Sequence, residues 1–402
     1  MLSMKENKGP LNGITIIDLT TEVLGPVGTQ ILGDFGADVI KIESLIGDPQ
    51  RKNGFILSEG ITSIYISINR NKKSISVDLK TDDGKKILEA LISNADVIIH
   101  NIRMKATERI GIDYESVKKI NPKIIYCVAT GFDQDGPNKD QPAFDDIVQA
   151  GSGIVYLNSL GKETPEFLPT VIGDKAVGLL LSNSVIAALF HRERTGISQF
   201  IEIPLYESTV AFTMMEHMGG MTTVPQSGES GYTRILHKGR KPYPTKNGYF
   251  GMLPYTLEQW AGLFEIEDKV QLGLDLGIAD RITRNLNFSA IYSEMSKITI
   301  KQTLDQMQEI CFRFDIPFSK VNSPEELLVD EQLKEVKLFI EDVHPSAGHI
   351  RYIRPTVKFS ETPISVRSLA SQLGGDTKQV LVDLGYTEEE IYYLLERGII
   401  KI

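Results

Sequence analysis

Apolar and polar positions in the first third of the chain alternate between short continuous runs and a helical period. Residues 82–95 and 104–119 have patterns typical of helices, and a further apolar helix ends near Phe35. Five apolar runs have the length and composition of buried strands: residues 14–19, 39–43, 74–79, 97–99 and 124–129. Strands that alternate with helices predict an α/β fold with a parallel sheet and right-handed crossovers.

A parallel sheet binds its ligand at the carboxyl ends of its strands. The segments in which we expect the functional site are therefore the loops after Leu19, Glu43, Ile99 and Ala129.

The pattern changes after residue 130. Residues 130–169 are rich in Gly and Pro and predict loops, and residues 174–194 predict one long helix whose apolar stripe contains Val177, Leu181, Val185 and Leu189. A strand at 199–205 and a helix at 207–218 follow. Near the end of the chain we expect a helix at 324–339, a strand pair within 349–359 and two further helices.

A break in composition near Gly219 indicates a change of domain. Gly219, Gly220, Pro225, Gly228 and Gly231 are typical of a flexible loop. We therefore predict a large domain at 1–220, a small domain at 225–325 and a return to the large domain at 326–402. Residues 243–255 are rich in Tyr, Pro and Gly, which fits either a pocket wall or ordinary packing of the small domain.

Composition argues against several classes of function. The 402 residues carry a net charge of −10, whereas a nucleic-acid-binding protein would have a basic surface. Cys127 and Cys311 provide neither a disulfide framework nor zinc-ligand spacing, so we expect a reducing, cytoplasmic setting and no metal. The first residues lack the apolar core of a signal peptide, and the run at 177–190 is short for a membrane span, so we expect no membrane.

Asp174 is the most informative single residue. It follows Gly173 and opens the long apolar helix. Asp is a favoured N-cap because its carboxylate accepts a backbone N–H of the first turn. Helix N-termini also stabilise negative charge, which suits a reactive carboxylate. Two interpretations therefore remain, a helix cap and a catalytic nucleophile.

Cations are concentrated in residues 69–80, which contain Arg70, Lys72, Lys73 and Lys80. Lys and Arg side chains bind phosphoryl oxygens through charge-assisted hydrogen bonds, although most charge runs are simply solvated. Arg103 and Arg109, which flank the end of the next strand, favour an anion site.

The glycines after the first predicted strand fail the spacing of a dinucleotide-binding turn. Gly25 and Gly28 are too far apart, and Pro26 lies between them, so an NAD-linked enzyme is a disfavoured alternative. The histidines are scattered without metal-ligand spacing, and no serine-hydrolase elbow is present.

Short segments in a fixed order carry a resemblance over nearly the whole chain. They include residues 10–20 (PLNGITIIDLT), 36–43 (GADVIKIE), 69–74 (NRNKKS), 77–80 (VDLK), 109–111 (RIG), 173–174 (GD), 194–196 (RTG) and 358–360 (KFS). Each is short, but the ordered set resembles the class III CoA-transferase family, which also contains α-methylacyl-CoA racemases.

The resemblance implies a fold and a set of site residues. It implies a large domain with a Rossmann-like parallel sheet, an inserted smaller α+β domain and an interlocked homodimer. Asp174 falls on the nucleophilic aspartate of the family. Lys80 and Arg109 fall on cationic contacts to CoA, and Asn101 with Ile102 falls on a backbone contact to the CoA moiety.

The function that follows is transfer of CoA from an acyl-CoA to a small free carboxylic acid through an aspartyl intermediate on Asp174. Coenzyme A or acyl-CoA is then a substrate, and we expect no tightly bound cofactor. Phe144 stands where racemases of the family carry a His base, which disfavours the racemase alternative. The loop at 21–24 lacks the His and Gln of formyl-CoA transferases. A non-catalytic CoA-binding protein with this fold is the remaining alternative.

Overall fold

The structure is a computed structural model that describes residues 9–160, 162–237 and 239–402. The strands, in chain order, are β1 (Thr15–Leu19), β2 (Asp38–Glu43), β3 (Ile56–Ser58), β4 (Ile61–Thr62), β5 (Lys72–Val77), β6 (Val97–His100), β7 (Ile125–Thr130), β8 (Phe200–Pro204), β9 (Tyr243–Thr245), β10 (Gly248–Met252), β11 (Phe318–Lys320), β12 (Phe339–His344), β13 (Gly348–Ile353) and β14 (Ile400–Lys401).

The first nine α-helices are α1 (Leu24–Asp34), α2 (Ser63–Ile68), α3 (Asp82–Ser93), α4 (Met104–Ile110), α5 (Tyr114–Ile120), α6 (Asp145–Gly151), α7 (Ile154–Asn158), α8 (Ile172–Thr195) and α9 (Leu205–Met214). The others are α10 (Thr233–Leu236), α11 (Leu257–Glu265), α12 (Val270–Asp275), α13 (Arg281–Leu286), α14 (Phe288–Thr299), α15 (Leu304–Arg313), α16 (Pro324–Leu327), α17 (Glu331–Glu335), α18 (Thr377–Asp383) and α19 (Glu388–Glu396).

A seven-stranded sheet in the order β14-β5-β2-β1-β6-β7-β8 forms the centre of the large unit. Its six strands from β5 to β8 are parallel, and only β14 runs antiparallel at one edge. The parallel strands follow the order of doubly wound dinucleotide-binding folds. The predicted parallel sheet is therefore confirmed.

The sheet is covered on both faces because its strands are apolar on both sides. On one face, α1 and α8 pack over Ile16, Val39 and Ile99. On the other face, α3, α5, α18 and α19 pack over Ile17 and Ile98. The result is a three-layer α/β/α arrangement.

Contacts divide the chain into two compact units. One comprises the chain up to Val155, Phe167–Thr213 and Val336–Ile402, and the other comprises Tyr156–Glu166 and Met214–Glu335. The second, smaller unit has its own antiparallel sheet, β11-β10-β9, and its own core around Trp260, Phe264 and Met295. The domain limits predicted from composition stay a prediction.

The glycines after β1 allow two helices to approach closely. A Cβ on Gly28 would lie 2.7 Å from the Leu181 side chain and 2.9 Å from the Gly178 carbonyl oxygen, and one on Gly178 would lie 2.8 Å from the Leu24 carbonyl oxygen. Glycine at these positions lets α1 pack directly on α8, which explains a Gly-rich turn that lacks dinucleotide-binding spacing.

Helix α8 confirms the predicted apolar stripe, since Val177, Leu181, Val185 and Leu189 are buried in the core. Among the described helices it is the one that is long and apolar enough to cross a membrane, with 24 residues and a mean hydropathy of 1.4. Core helices of soluble proteins meet the same criterion. Its contact with α1 and the sheet accounts for the apolar stripe.

The run at 104–119 is mostly helical, as predicted, but it is divided into two helices, because Gly111 ends α4 in the left-handed region with a φ of 74°. The helix predicted at 324–339 is wrong. The run at 324–339 contains the short helices α16 and α17, and Lys337 has a φ of 50°, after which β12 begins. The predicted strand pair is therefore displaced, because β13 pairs with β12 rather than with a strand near residue 359. The two final helices, α18 and α19, are confirmed.

Candidate active site

Asp174 is the third residue of α8, and the N-cap residue is Val171. The Asp174 backbone N–H donates a hydrogen bond to Oδ1 of Asp145 at 2.9 Å. Another carboxylate therefore satisfies this donor of the first turn, and Asp174 does not occupy the cap position. The helix-cap interpretation of Asp174 is wrong, and its half-buried carboxylate is available for another role.

A cavity of about 260 Å³ opens beside Asp174. Its walls come from the loops after β1, β6 and β7 and from the start of α9. The lining side chains relevant to chemistry are those of Glu22, Asn101, Arg103, Phe144 and Asp174. Three of the four loops in which the sequence placed the ligand site therefore line the cavity. The fourth, after β2, contacts Glu22 of the cavity wall through Asp48 and Gln50.

The environment of Asp174 favours the neutral form of its carboxyl group. Burial is the main cause, followed by the negative charges of Asp145 and Glu22, and together they raise the pKa of Asp174 from 3.8 to about 7. Asp145 is itself buried, and its Oδ2 accepts a hydrogen bond from Gln149 Nε2 at 2.6 Å. Such a shift is typical of functional sites.

A second cavity, of about 320 Å³, shares Asn101, Arg103 and Gly131 with the first. The two therefore form one continuous groove at the carboxyl edge of the sheet. The cationic side chains of the second cavity are those of Arg103, Lys105, Arg109 and Lys139. Lys105 forms a solvent-exposed ion pair with Asp140, with an N–O distance of 2.6 Å. This end of the groove suits phosphoryl groups.

Three of the four residues predicted to contact CoA line the groove, and the fourth does not. Asn101, Ile102 and Arg109 line the cationic cavity. Lys80 is exposed on the loop after β5 and lines neither cavity of the groove.

Asn101 and Ile102 also have internal partners. The Asn101 amide binds the backbone of Thr21 in both directions, accepting from its N–H at 3.0 Å and donating to its carbonyl oxygen at 2.9 Å. The Ile102 N–H donates to Nδ1 of buried His100 at 3.2 Å. The side chain of Asn101 thus ties the loop after β6 to the loop after β1.

Three of the four cations in residues 69–80 are bound to carboxylates. Arg70 pairs with Asp34 at 2.6 Å, Lys72 with Asp18 at 3.2 Å and Lys73 with Asp38 at 2.9 Å. Arg70 and Lys72 are buried. The cluster is therefore mainly an internal set of ion pairs, which is neither an anion site nor a solvated strand entry.

Buried charges hold the loop that carries Glu22. Lys41 pairs with Asp48 at 2.9 Å, and its Nζ donates to the carbonyl oxygen of Thr20 at 2.6 Å. Asp48 accepts the Glu22 N–H at 3.3 Å, and Gln50 Nε2 donates to Glu22 Oε2 at 2.6 Å. Glu22 has a φ of 69°, a strained backbone for a residue with a side chain. These contacts fix its carboxylate at the cavity wall.

A second buried pair completes this support. Arg51 donates to both oxygens of Glu43 at 2.7 Å, and Glu43 Oε2 accepts the Asp48 N–H at 3.0 Å. Burial acts to raise the pKa of Glu43, but hydrogen bonds and charges from Arg51 and Lys41 lower it to about 2. The pair is therefore ionised at neutral pH.

Sequence reasoning missed Glu22 and Asp145 as neighbours of Asp174. Asp145 had a usable signal, because it directly follows Phe144, the position at which racemases of the family carry a His base. Glu22 had none, because its position depends on a left-handed turn and on partners far away in sequence. Among the described residues, no group of three or more His, Cys, Asp or Glu side chains has metal-binding geometry.

Comparisons with known proteins agree with this architecture. Residues 11–377 match the profile of CoA-transferase family III. The chain is 29% identical to cinnamoyl-CoA:phenyllactate CoA-transferase of Clostridium sporogenes, with 96% of each protein covered. It is 31% identical to the beta subunit of succinyl-CoA--L-malate CoA-transferase of Chloroflexus aurantiacus, with 97% of this chain and 98% of that protein covered.

A solved structure has the same fold. The crystal structure of a CAIB/BAIF family protein from Brucella suis superposes with a TM-score of 0.80 at 27% identity, covering 94% of this chain and 100% of that one. The chain belongs to CoA-transferase family III, and the resemblance noted in the sequence is confirmed.

The buried pair behind the groove makes a testable contribution to stability. Glu43→Gln leaves the buried Arg51 without its paired carboxylate, so we expect the free energy of unfolding to fall by about 3–5 kcal/mol at neutral pH. A carboxyl group whose pKa is lowered on folding stabilises the protein above its unfolded pKa of 4.5 and loses that contribution as the pH falls through about 2. The difference in the free energy of unfolding between the wild type and Glu43→Gln, measured by urea denaturation, should therefore become smaller as the pH falls from 4.5 towards about 2.

Asp38→Asn is the matched control. Asp38 also lies on β2 and pairs with Lys73, but both side chains are half-exposed, so the cost should stay below about 1 kcal/mol. Equal losses in the free energy of unfolding for the two substitutions would show that the buried pair contributes no more to stability than the exposed pair.

Proposed function

We propose that this protein transfers CoA from an acyl-CoA to a small free carboxylic acid through a covalent intermediate on Asp174. The observation that carries the proposal is a half-buried carboxylate in a groove whose adjoining end is lined by cations. The first feature suits a nucleophile, and the second suits the phosphates of CoA.

The first half of the reaction consumes the donor. The Asp174 carboxylate attacks the thioester carbonyl of the acyl-CoA, the C–S bond breaks, and a mixed anhydride and CoA thiolate form. The thiolate then attacks the aspartyl carbonyl of the anhydride. This step gives an aspartyl-CoA thioester and releases the donor acid as its carboxylate.

The second half repeats these steps in reverse order with the acceptor. The acceptor carboxylate attacks the aspartyl thioester and displaces CoA thiolate, which then attacks the acceptor carbonyl of the new anhydride. The products are the acceptor thioester and free Asp174, so one thioester bond is exchanged for another without ATP. Arg103, which lines both cavities, is suited to stabilise the oxyanions that form at each attack.

Phe144 supports transfer over racemisation. Its ring lines the cavity and is 61% exposed, but it has no proton to give or take. Racemisation needs acid/base groups on both faces of the α-carbon. The neighbouring carboxylate of Asp145 is occupied by hydrogen bonds from the Asp174 N–H and Gln149. Loss of α-deuterium from a labelled acyl-CoA without a carboxylic acid acceptor would favour the racemase instead.

The acceptor that we propose is a small carboxylic acid of unspecified side chain. The names of the two relatives given above refer to aromatic acids in one case and to dicarboxylic acids in the other. Family membership therefore does not select between these two classes.

We also propose that the chain works as an interlocked homodimer in the cytoplasm, with the smaller unit inserted in the larger. Leu179, Leu180 and Phe190 of α8 are large apolar side chains that are 54%, 43% and 62% exposed, which supports their cover by a second copy. Cys127 and Cys311 are both unpaired, as is usual in a reducing compartment. A monomer in sedimentation velocity would contradict the dimer.

The covalent step is tested by removing the nucleophile. Asp174→Ala should lower the rate of CoA transfer by at least about a thousandfold while leaving CoA binding intact. Asp146→Ala is the matched control, since Asp146 is an exposed acid one residue from Asp145. With the wild-type protein, an acyl-CoA panel and hydroxylamine trapping, mass spectrometry should locate the modification on Asp174.

Two outcomes would contradict the covalent proposal. Transfer by Asp174→Ala within a few-fold of wild type would exclude this nucleophile. CoA binding without transfer or adduct for every acyl-CoA would favour the non-catalytic alternative.

The raised pKa of Asp174 predicts a pH profile. Because the carboxylate is the attacking form, kcat/KM should rise with pH through an apparent pKa of about 7 and then level off. Asp145→Asn removes one of the charges that raise this pKa, so the rise should move to lower pH. Asp146→Asn should leave it in place, and a profile that is flat around neutral pH would contradict the role of Asp174.

The cationic end of the groove predicts the site of CoA phosphates. Arg109→Gln should weaken CoA binding about threefold to tenfold, about 1 kcal/mol, and more strongly at low salt because the interaction is screened. Lys80 lies outside the groove, and Lys80→Gln tests the CoA contact that the family resemblance implies for it. For either residue, an unchanged dissociation constant in calorimetry would remove it from the CoA site.

A further inference from the structure

The smaller unit contains a cavity of its own, of about 650 Å³. It lies among α10, the segment that leads to β9, the strands β10 and β11, and Tyr292 of α14. None of its lining residues belongs to the groove at Asp174. Its volume is within the range of small-molecule sites.

Cations without a balancing acid characterise this cavity. Arg234, Arg240 and Lys241 line it, and its described lining contains no Asp or Glu. Within the described ranges, none of the three forms an ion pair. Arg234 also belongs to a wider positive region, because burial first, and then the charges of Arg281 and Arg234, lower the pKa of Arg284.

Aromatic rings provide the rest of the wall. Tyr243 and Tyr292 are buried with ring centroids 5.7 Å apart, and Phe318 also lines the cavity. Tyr232 and Tyr255 line it as well and are partly open to solvent. The sequence allowed Tyr243 and Tyr255 to be either part of a pocket wall or ordinary packing of the small domain. In the structure both of them line this cavity.

We propose that this cavity binds an organic carboxylate that has an aromatic or apolar body. The planar guanidinium groups of Arg234 and Arg240 match a carboxylate, and the partly exposed rings of Tyr232 and Tyr255 offer faces on which a flat body stacks. A phosphoryl group would use the charges but would leave the aromatic wall without a partner. The proposal does not depend on the chemistry of Asp174.

The test is calorimetric titration of the full chain with 3-phenylpropanoate and, separately, with its uncharged amide, 3-phenylpropanamide. The carboxylate should bind to the wild type, and the amide should bind at least about tenfold more weakly. Arg234→Gln combined with Arg240→Gln should also weaken carboxylate binding at least about tenfold. Lys241→Gln, at an exposed position, provides a milder single change and should weaken it less.

Two control variants separate this cavity from other effects. Arg313→Gln makes the same change in the same unit, at an exposed residue that pairs with Glu265 outside the cavity, and should bind normally. Arg103→Gln combined with Arg109→Gln alters the groove at Asp174, where the acid would bind as an acceptor, and should leave in place the binding that depends on Arg234 and Arg240. Failure of CoA transfer therefore leaves this test unaffected.

Three results would overturn the proposal. The first is equal binding of acid and amide, and the second is unchanged binding in both the double variant and Lys241→Gln. The third is inorganic phosphate that binds more tightly than the carboxylate and is lost in the double variant, which would assign the cavity to phosphoryl groups.

Discussion

The buried ion pairs between β1, β2 and the loops that follow them are the constraint on which the active site depends. Lys41 joins Asp48 to the carbonyl oxygen of Thr20, and Asp48 in turn holds the backbone of Glu22. Breaking a buried pair leaves a charge without solvent or partner, which is costly. The loop after β1 is therefore locked in a strained conformation that an isolated loop would not retain.

This rigidity adds to burial, which is the main cause of the raised pKa of Asp174. Glu22 is held at the cavity wall by the buried network, and Asp145 is held by Gln149 and by the Asp174 N–H. Two fixed negative charges in a half-buried site oppose ionisation of a third carboxyl group, and neither can swing away to relieve the repulsion. The same structure pairs Arg70, Lys72 and Lys73 with carboxylates of their own.

The sequence was sufficient for the parallel sheet because each strand is an apolar run buried on both faces, a local pattern with a clear period. It also indicated the loops after β1, β6 and β7 as part of the site, since parallel strands end together, and the family resemblance added Asp174, Asn101 and Arg109. The sequence was not sufficient for residues whose environment is set by a partner far away in the chain. Nothing local distinguishes Lys72, which binds Asp18 in the core, from Lys80, which is exposed. Likewise, the helix predicted at 324–339 ran to the first residue of β12, because no local pattern indicates the turn at Lys337, which has a positive φ.

Electrostatic opposition to ionised Asp174 has a consequence for the proposed mechanism. Each unit by which its pKa is raised corresponds to about 1.4 kcal/mol by which the site favours a neutral carboxyl group over a carboxylate. An anhydride or a thioester on Asp174 is also uncharged, so acylation removes the repulsion from Asp145 and Glu22. In the proposed mechanism, the site therefore destabilises the free Asp174 carboxylate relative to its acylated forms. A transferase that exchanges one thioester for another needs this balance, because its intermediate must be neither much less nor much more stable than the substrate.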